Sequence, residues 1–187
     1  MMLFVGLAIV LIAVFVISVY NALAGLRVRA DSAWSDVDVQ LKRRYELIPN
    51  LVETVRGYAG HERGTLEAVV AARNQALAAQ GPVAQAAAEN QLTSALRQLF
   101  ALAEAYPQLR AVESFTQLQG QLSQIEDAIQ NARRYYNAVV RDLNTRVVQF
   151  PSNLIAGLFG IAARPFFELD TPAERQAPKV GFDAPRA

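Results

Sequence analysis

The chain has 187 residues, 52% of them apolar and 19% charged, with a formal net charge of +1 and no cysteine. This is enough apolar material for one folded domain plus an appendage, and it excludes a wholly disordered chain. The near-zero charge excludes the basic footprint of a nucleic-acid binder, and the missing cysteine removes disulfides, thiolate zinc sites and cysteine nucleophiles while fitting a reducing compartment.

No charged side chain precedes Arg27, and thirteen of the seventeen residues 3–19 are Leu, Ile, Val or Phe. At roughly −0.4 kcal/mol for each such residue near the bilayer centre, they contribute about −5 kcal/mol to insertion, which predicts a transmembrane anchor over residues 1–26. Ala22-Leu23-Ala24 before Gly25 has the form a signal peptidase accepts. The missing basic n-region and a run longer than the roughly 7–15 residues of an h-region favour an uncleaved anchor. Arg27, Arg29, Lys42, Arg43 and Arg44 all follow the span. The positive-inside rule therefore predicts a single-pass inner-membrane protein with its N-terminus outside and its body in the cytoplasm.

Ala30, Trp34, Val37, Leu41, Tyr45, Ile48, Val52, Val55, Ala59, Leu66 and Val69 form a helical stripe that predicts one helix to about Ala79, stopped by Gln80-Gly81-Pro82. Pro49 interrupts its chemistry, since proline lacks an N–H and its ring meets the carbonyl four residues back, that of Tyr45. The stripe keeps its phase from Ile48 to Val52, so a kinked continuous helix is expected; the alternative is a new helix starting at Pro49. Gly57, Gly60 and Gly64 weaken the stretch that follows, by about 1 kcal/mol each relative to Ala, and mark it as able to bend or open.

A second stripe, Ala88, Leu92, Ala95, Leu99, Leu102 and Tyr106, ends at Pro107. The third runs from Phe115 through Leu122, Ile129, Tyr136, Val139 and Leu143 to Phe150, alternates spacings of three and four, and is broken by Pro151. No segment alternates with period two. The fold class is therefore all-α: a transmembrane helix continuing into an antiparallel three- to four-helix bundle over residues 27–169, with long coiled-coil-like helices and a short fourth helix over residues 152–163. Residues 170–187, with three prolines and few apolar side chains, are expected to be a flexible tail.

Candidate chemistry is sparse. His61 is the only histidine and stands beside Glu62, but neighbouring helical residues diverge by about 100° and no HExxH or GxSxG pattern supplies partners. No catalytic residue, metal ligand or cofactor is expected. Arg133 and Asn137 share a face of the third helix, where they and Asn144 form either a solvated surface or a polar network that fixes register. Leu154, Ile155, Leu158, Phe159, Phe166 and Phe167 surround a segment too short to span a bilayer, which has to be covered by the bundle, another subunit or the membrane interface.

The strings AWSDVDVQLKRRYELIPNLVETVRGYAGHE, EAYPQLRAVESFTQLQ, RRYYNAVVRDLN and FPSNLIA, following an apolar span, resemble the bacterial LemA family over about residues 1–168. The resemblance implies a membrane-anchored helical bundle with no established enzymatic activity. Position by position, the family pattern falls on Trp34, Asp38, Arg44, Pro49, Asn50, Glu62, Tyr106, Pro107, Arg133, Tyr136, Asn137, Asn144, Phe150 and Pro151. It also falls on Leu41, Leu47, Ile48, Leu51, Tyr58 and Phe115. Leu143 and Ile161 depart from it, standing where aromatics are common.

The function expected from these observations is a non-enzymatic scaffold or adaptor held by the lipid bilayer, acting through protein partners and self-association as a homo-oligomer, without nucleic acid. A membrane-remodelling helical polymer is the alternative, and a hydrolase relying on His61 ranks below both.

Overall fold

The computed structural model describes residues 1–169; the tail expected over 170–187 lies outside them. Among the described residues there are helices and no strands: α1 (Met2–Ala59), α2 (Arg63–Ala78), α3 (Gly81–Glu104), α4 (Pro107–Arg110), α5 (Glu113–Val148) and α6 (Ser152–Leu158). The all-α expectation holds. α1, with 58 residues, extends about 87 Å at 1.5 Å per residue. Its first part is long and apolar enough to cross a membrane, by length and composition.

Pro49 lies inside α1, neither starting nor ending a helix, and its ring is exposed. The Tyr45 carbonyl, deprived of the N–H that residue 49 would have supplied, accepts a hydrogen bond from Arg73 Nε of α2 at 2.8 Å. A side chain from a neighbouring helix thus replaces the missing rung and offsets the local cost of the proline.

The expectation of one helix to Ala79 is corrected. The chain leaves α1 at residues 60–62 and returns as α2, antiparallel to it, so that Arg73 lies beside Tyr45. The glycines explain the place: a Cβ at Gly60 would stand 3.0 Å from the Arg56 carbonyl oxygen, and each helical glycine is entropically costly. Folding back buries Leu66, Val69, Ala72 and Ala76 in the common core. Gly81, at φ +77, then turns the chain into α3, whose first turn carries Pro82.

Far from the apolar run, the second half of α1, α2, α3 and the first half of α5 form a four-helix head around Leu41, Ile48, Val52, Val55, Leu92, Leu99 and Ile129. Nearer the apolar run, α1 and α5 form a two-helix neck. The groove along the neck is filled by residues 161–169, an extended strap.

The short fourth helix is corrected as well, ending at Leu158 rather than Ala163. Gly160 adopts φ +64, its N–H bonds to the Gly157 carbonyl at 3.4 Å, and the Ile161 N–H bonds to that of Ala156 at 2.9 Å. This is a Schellman stop, in which a left-handed glycine lets the next two amides satisfy the last carbonyls of the helix. Ile161 then packs with Leu23, Leu143, Ile155 and Ala156. Both positions that depart from the family's aromatics, Leu143 and Ile161, therefore lie in one small aliphatic cluster.

Candidate functional site

Two polar centres fasten distant parts of the chain. The first lies in the head. Arg44 falls three residues after Leu41 and four before Ile48, on the apolar stripe itself, and is 3% exposed. Its Nη1 donates to Glu89 Oε2 at 3.0 Å and lies 3.3 Å from Glu126 Oε2, while Nη2 donates to Thr93 Oγ1 at 3.0 Å. The Tyr45 hydroxyl donates to Glu89 Oε1. Gln85 Nε2 lies 2.7 Å from the Tyr45 oxygen, 3.2 Å from Glu89 Oε1 and 3.1 Å from the carbonyl of Ala76, which the end of α2 leaves without a helical partner. Side chains of α1, α3 and α5 are joined here, with the last turn of α2.

Burial pushes the Glu89 carboxyl up, although Arg44 and the bonds from Tyr45 and Gln85 pull it down. Burial and the Glu89 charge also drive the Tyr45 phenol far above its ordinary value, so it remains a donor. Glu89 is fully enclosed, at 0% exposure, and cannot meet a substrate. What the network can do is set which helices pair and in what register, because a guanidinium without this carboxylate would be a desolvated charge. Arg44 Nε is buried without a hydrogen-bond partner among the described residues.

The second centre binds the strap. Asn137 Nδ2 donates to the Phe167 carbonyl at 3.0 Å, and the Phe167 N–H donates to Asn137 Oδ1 at 2.9 Å. Two turns on, Asn144 makes the same reciprocal pair with Arg164, at 2.8 Å in both directions. Each amide offers one donor and one acceptor to a single residue, as a neighbouring strand would in a narrow pair of a β-ladder. The spacings agree: seven helical residues rise about 10.5 Å, and three extended residues span about 10 Å. The Tyr136 hydroxyl donates to the Pro165 carbonyl at 3.0 Å and Arg133 Nη1 to that of Leu169 at 3.4 Å. Burial raises the Tyr136 phenol, in keeping with its role as donor.

The strap's side chains complete the packing. Phe167, fully buried, meets Trp34 of α1 edge-on with centroids 5.4 Å apart, and Trp34 meets Tyr136 at 5.3 Å. At the strap's start, Arg164 Nη1 pairs with Asp31 Oδ1 at 2.6 Å, a partly exposed contact.

The structure therefore brings Trp34, Arg133, Tyr136, Asn137 and Asn144 together with Phe166 and Phe167, and places Arg44 in a separate centre. The other predicted positions are scattered. Asp38 pairs with Lys42 at 2.6 Å on the surface; Asn50 is exposed, its carbonyl accepting from Thr54. Glu62 and His61 are exposed in the α1–α2 turn, and Tyr106 and Pro107 start α4. Phe150, Pro151, Leu154, Leu158 and Phe159 are exposed, and Ile155 is buried. Among the described residues no group of three or more acidic, histidine or cysteine side chains could hold a metal.

A family model described as the LemA family matches residues 33–182. The chain belongs to the LemA family. Both polar centres of this LemA chain fall inside the matched residues, and the apolar run lies outside them. Its curated relatives include two magnetosome proteins, MamQ 1 and MamQ 2, of Paramagnetospirillum magneticum, each 23% identical over 175 residues, covering 80% of this chain and 64% of theirs. MamQ of Magnetospirillum gryphiswaldense is 22% identical over 174 residues, with 79% and 64% covered. The LemA chain thus spans just under two thirds of the length of these relatives.

Proposed function

We propose that this LemA-family protein is a non-enzymatic, membrane-associated scaffold that carries a four-helix head away from the bilayer and acts through protein contacts, self-association among them. The observation that carries this reading is the continuity of α1 from the apolar run into the head, with no break at Pro49. Ala59 stands about 55 Å beyond Leu23 along the helix, a reach that suits a protein working at a distance from its anchor. Both polar centres join the protein to itself, which suits a part that holds its shape while its helix faces meet partners. The curated relatives are named for the magnetosome, not for a reaction, which supports the same direction.

Crosslinking of the intact protein in its own membrane, from a photoreactive residue at Arg97 or Ser123 on the head, tests the reading. Products that contain a second copy or a distinct protein are expected. Absence of any such product, with detergent-solubilised protein sedimenting as a monomer at every concentration, overturns it. A membrane-organising role is the second reading, favoured by the exposed apolar side chains of α6 beside the span.

A further inference from the structure

α6 packs on α1 where the apolar run ends. Ile155 and Ala156 share a cluster with Leu23 and, around it, Val16 and Val19, and Phe159 meets Tyr20 with ring centroids 4.6 Å apart. On the side of α6 turned away from this cluster, Leu154 and Leu158 remain 64% and 76% exposed, while Phe159, at the edge of the packed face beside Tyr20, is 48% exposed. The run over residues 3–19 measures about 26 Å against a hydrocarbon core of about 30 Å, so it has no turns to spare. Moving Val16 and Val19 into water, to bring α6 with them, would leave residues 3–15, about 20 Å of apolar helix. The level of α6 is therefore tied to the edge of the hydrocarbon.

A second observation sits at the same level on another face of α1. A groove between α1 and the end of α5 is lined by Arg29, Arg141 and Arg146, with Asn21, Thr145 and the single carboxylate of Asp142. None of the three arginines is ion-paired with a described residue. The groove begins at Asn21, two residues past the apolar run, and long guanidinium side chains in excess over carboxylates there fit the headgroups of anionic phospholipids.

We propose that the α5–α6 end of the neck is a second membrane contact: Leu154, Leu158 and Phe159 enter the boundary between headgroups and acyl chains, while Arg29, Arg141 and Arg146 take phosphates of anionic lipid. It rests on α1 crossing a bilayer, and it turns a single tether into a seat that fixes the rotation of the neck about the span.

The native chain has no cysteine, so single spin labels report position cleanly. Full-length Leu158→Cys, Val10→Cys and Tyr58→Cys variants are labelled in phosphatidylcholine vesicles, with and without a quarter phosphatidylglycerol, and their accessibility to oxygen and to a water-soluble nickel relaxant is compared. The label at position 158 is expected to favour oxygen, as position 10 does, and to sink further with phosphatidylglycerol. Replacing all three arginines with Gln is expected to remove that added depth. Nickel access at position 158 equal to that at position 58, while position 10 is shielded, overturns the seat and leaves the anchor standing. Nickel access at position 10 removes the anchor and the seat with it. Dipolar broadening at position 158 in dilute vesicles would assign the patch to a second copy and also overturns the proposal, and a depth indifferent to anionic lipid overturns the role of the arginines.

Discussion

At the head, a guanidinium and a carboxylate with almost no exposure hold α1 against α3, whereas along the neck two uncharged amides hold a strap against α5. The first centre reads side chains: Arg44, Tyr45, Gln85 and Glu89 recognise one another, and each change leaves a partner stranded. The second reads backbone, since Asn137 and Asn144 bond only to main-chain atoms of Phe167 and Arg164. Charged networks thus specify which helices meet, at a high desolvation cost, while amide clamps accept most side chains on the segment they grip. Phe167 adds what the clamp lacks, by filling the pocket beside Trp34.

The contrast is broken most severely at Arg44. Arg44→Met strands the Glu89 carboxylate and is expected to cost about 3–5 kcal/mol near neutral pH, measured by denaturant unfolding of the detergent-solubilised protein. The loss depends on pH. Burial holds the folded Glu89 pKa above its unfolded value of about 4.3, and removing Arg44 takes away the largest influence that holds it down. A carboxyl with a raised folded pKa contributes stability that is fully present below the unfolded value and lost as pH rises through the folded one. The deficit of the variant against the parent therefore widens as pH rises above the unfolded value, through the raised folded one. Combining Arg44→Met with Glu89→Leu should recover most of it, and a double variant as unstable as the single one would show that the network does more than neutralise itself.

Weaker effects are expected at the clamp. Asn137→Ala leaves the Phe167 N–H and carbonyl without partners, at about 1–3 kcal/mol, and Asn144→Ala does the same at Arg164. Hydrogen exchange at the amides of residues 164 and 167 should accelerate far more than exchange in α3. Equal acceleration in both regions would merge the two centres into one cooperative unit.

Pro49 sharpens the comparison at a smaller scale. Arg73→Ala is expected to cost about 1 kcal/mol in the parent by orphaning the Tyr45 carbonyl, and close to nothing beside Pro49→Ala, where an N–H from residue 49 takes over. Additive losses in that cycle would mean that Arg73 acts through packing alone. Asp31→Asn stands last, with about 0.5 kcal/mol expected from its partly exposed pair with Arg164 and less at high salt, a difference readable in thermal melts at two ionic strengths.

How much of this could be read from residues alone differs between the centres. Asn137 and Asn144 stand out because α5 is so regular that two amides seven apart on one face invite a shared role. Their partner was not legible, because residues 161–169 form no periodic element and a strap is defined by where it lies rather than by its own pattern. Gln85 and Glu89 were missed in an alanine-rich stretch that looks like a solvated face. A signal existed: Gln85, Leu92 and Leu99 recur at sevens, placing a glutamine on the seam that two buried leucines continue. The division at residues 60–62 was half visible in its glycines, but the stripe kept enough phase across them to read as one helix. α6 stops short of residue 163 because Gly160 takes a left-handed φ, which a lone glycine in an apolar run does not announce.

Anchored as proposed, an uninterrupted α1 would also act as a lever. Transmembrane helices commonly lean by about 20° from the bilayer normal, and over the roughly 55 Å from Leu23 to Ala59 that lean shifts the far end sideways by about 20 Å. Changes in bilayer thickness that halve or double the lean would then move the head sideways by about 10 Å or more, the spacing of two packed helices, so lipid composition would alter which neighbours it touches.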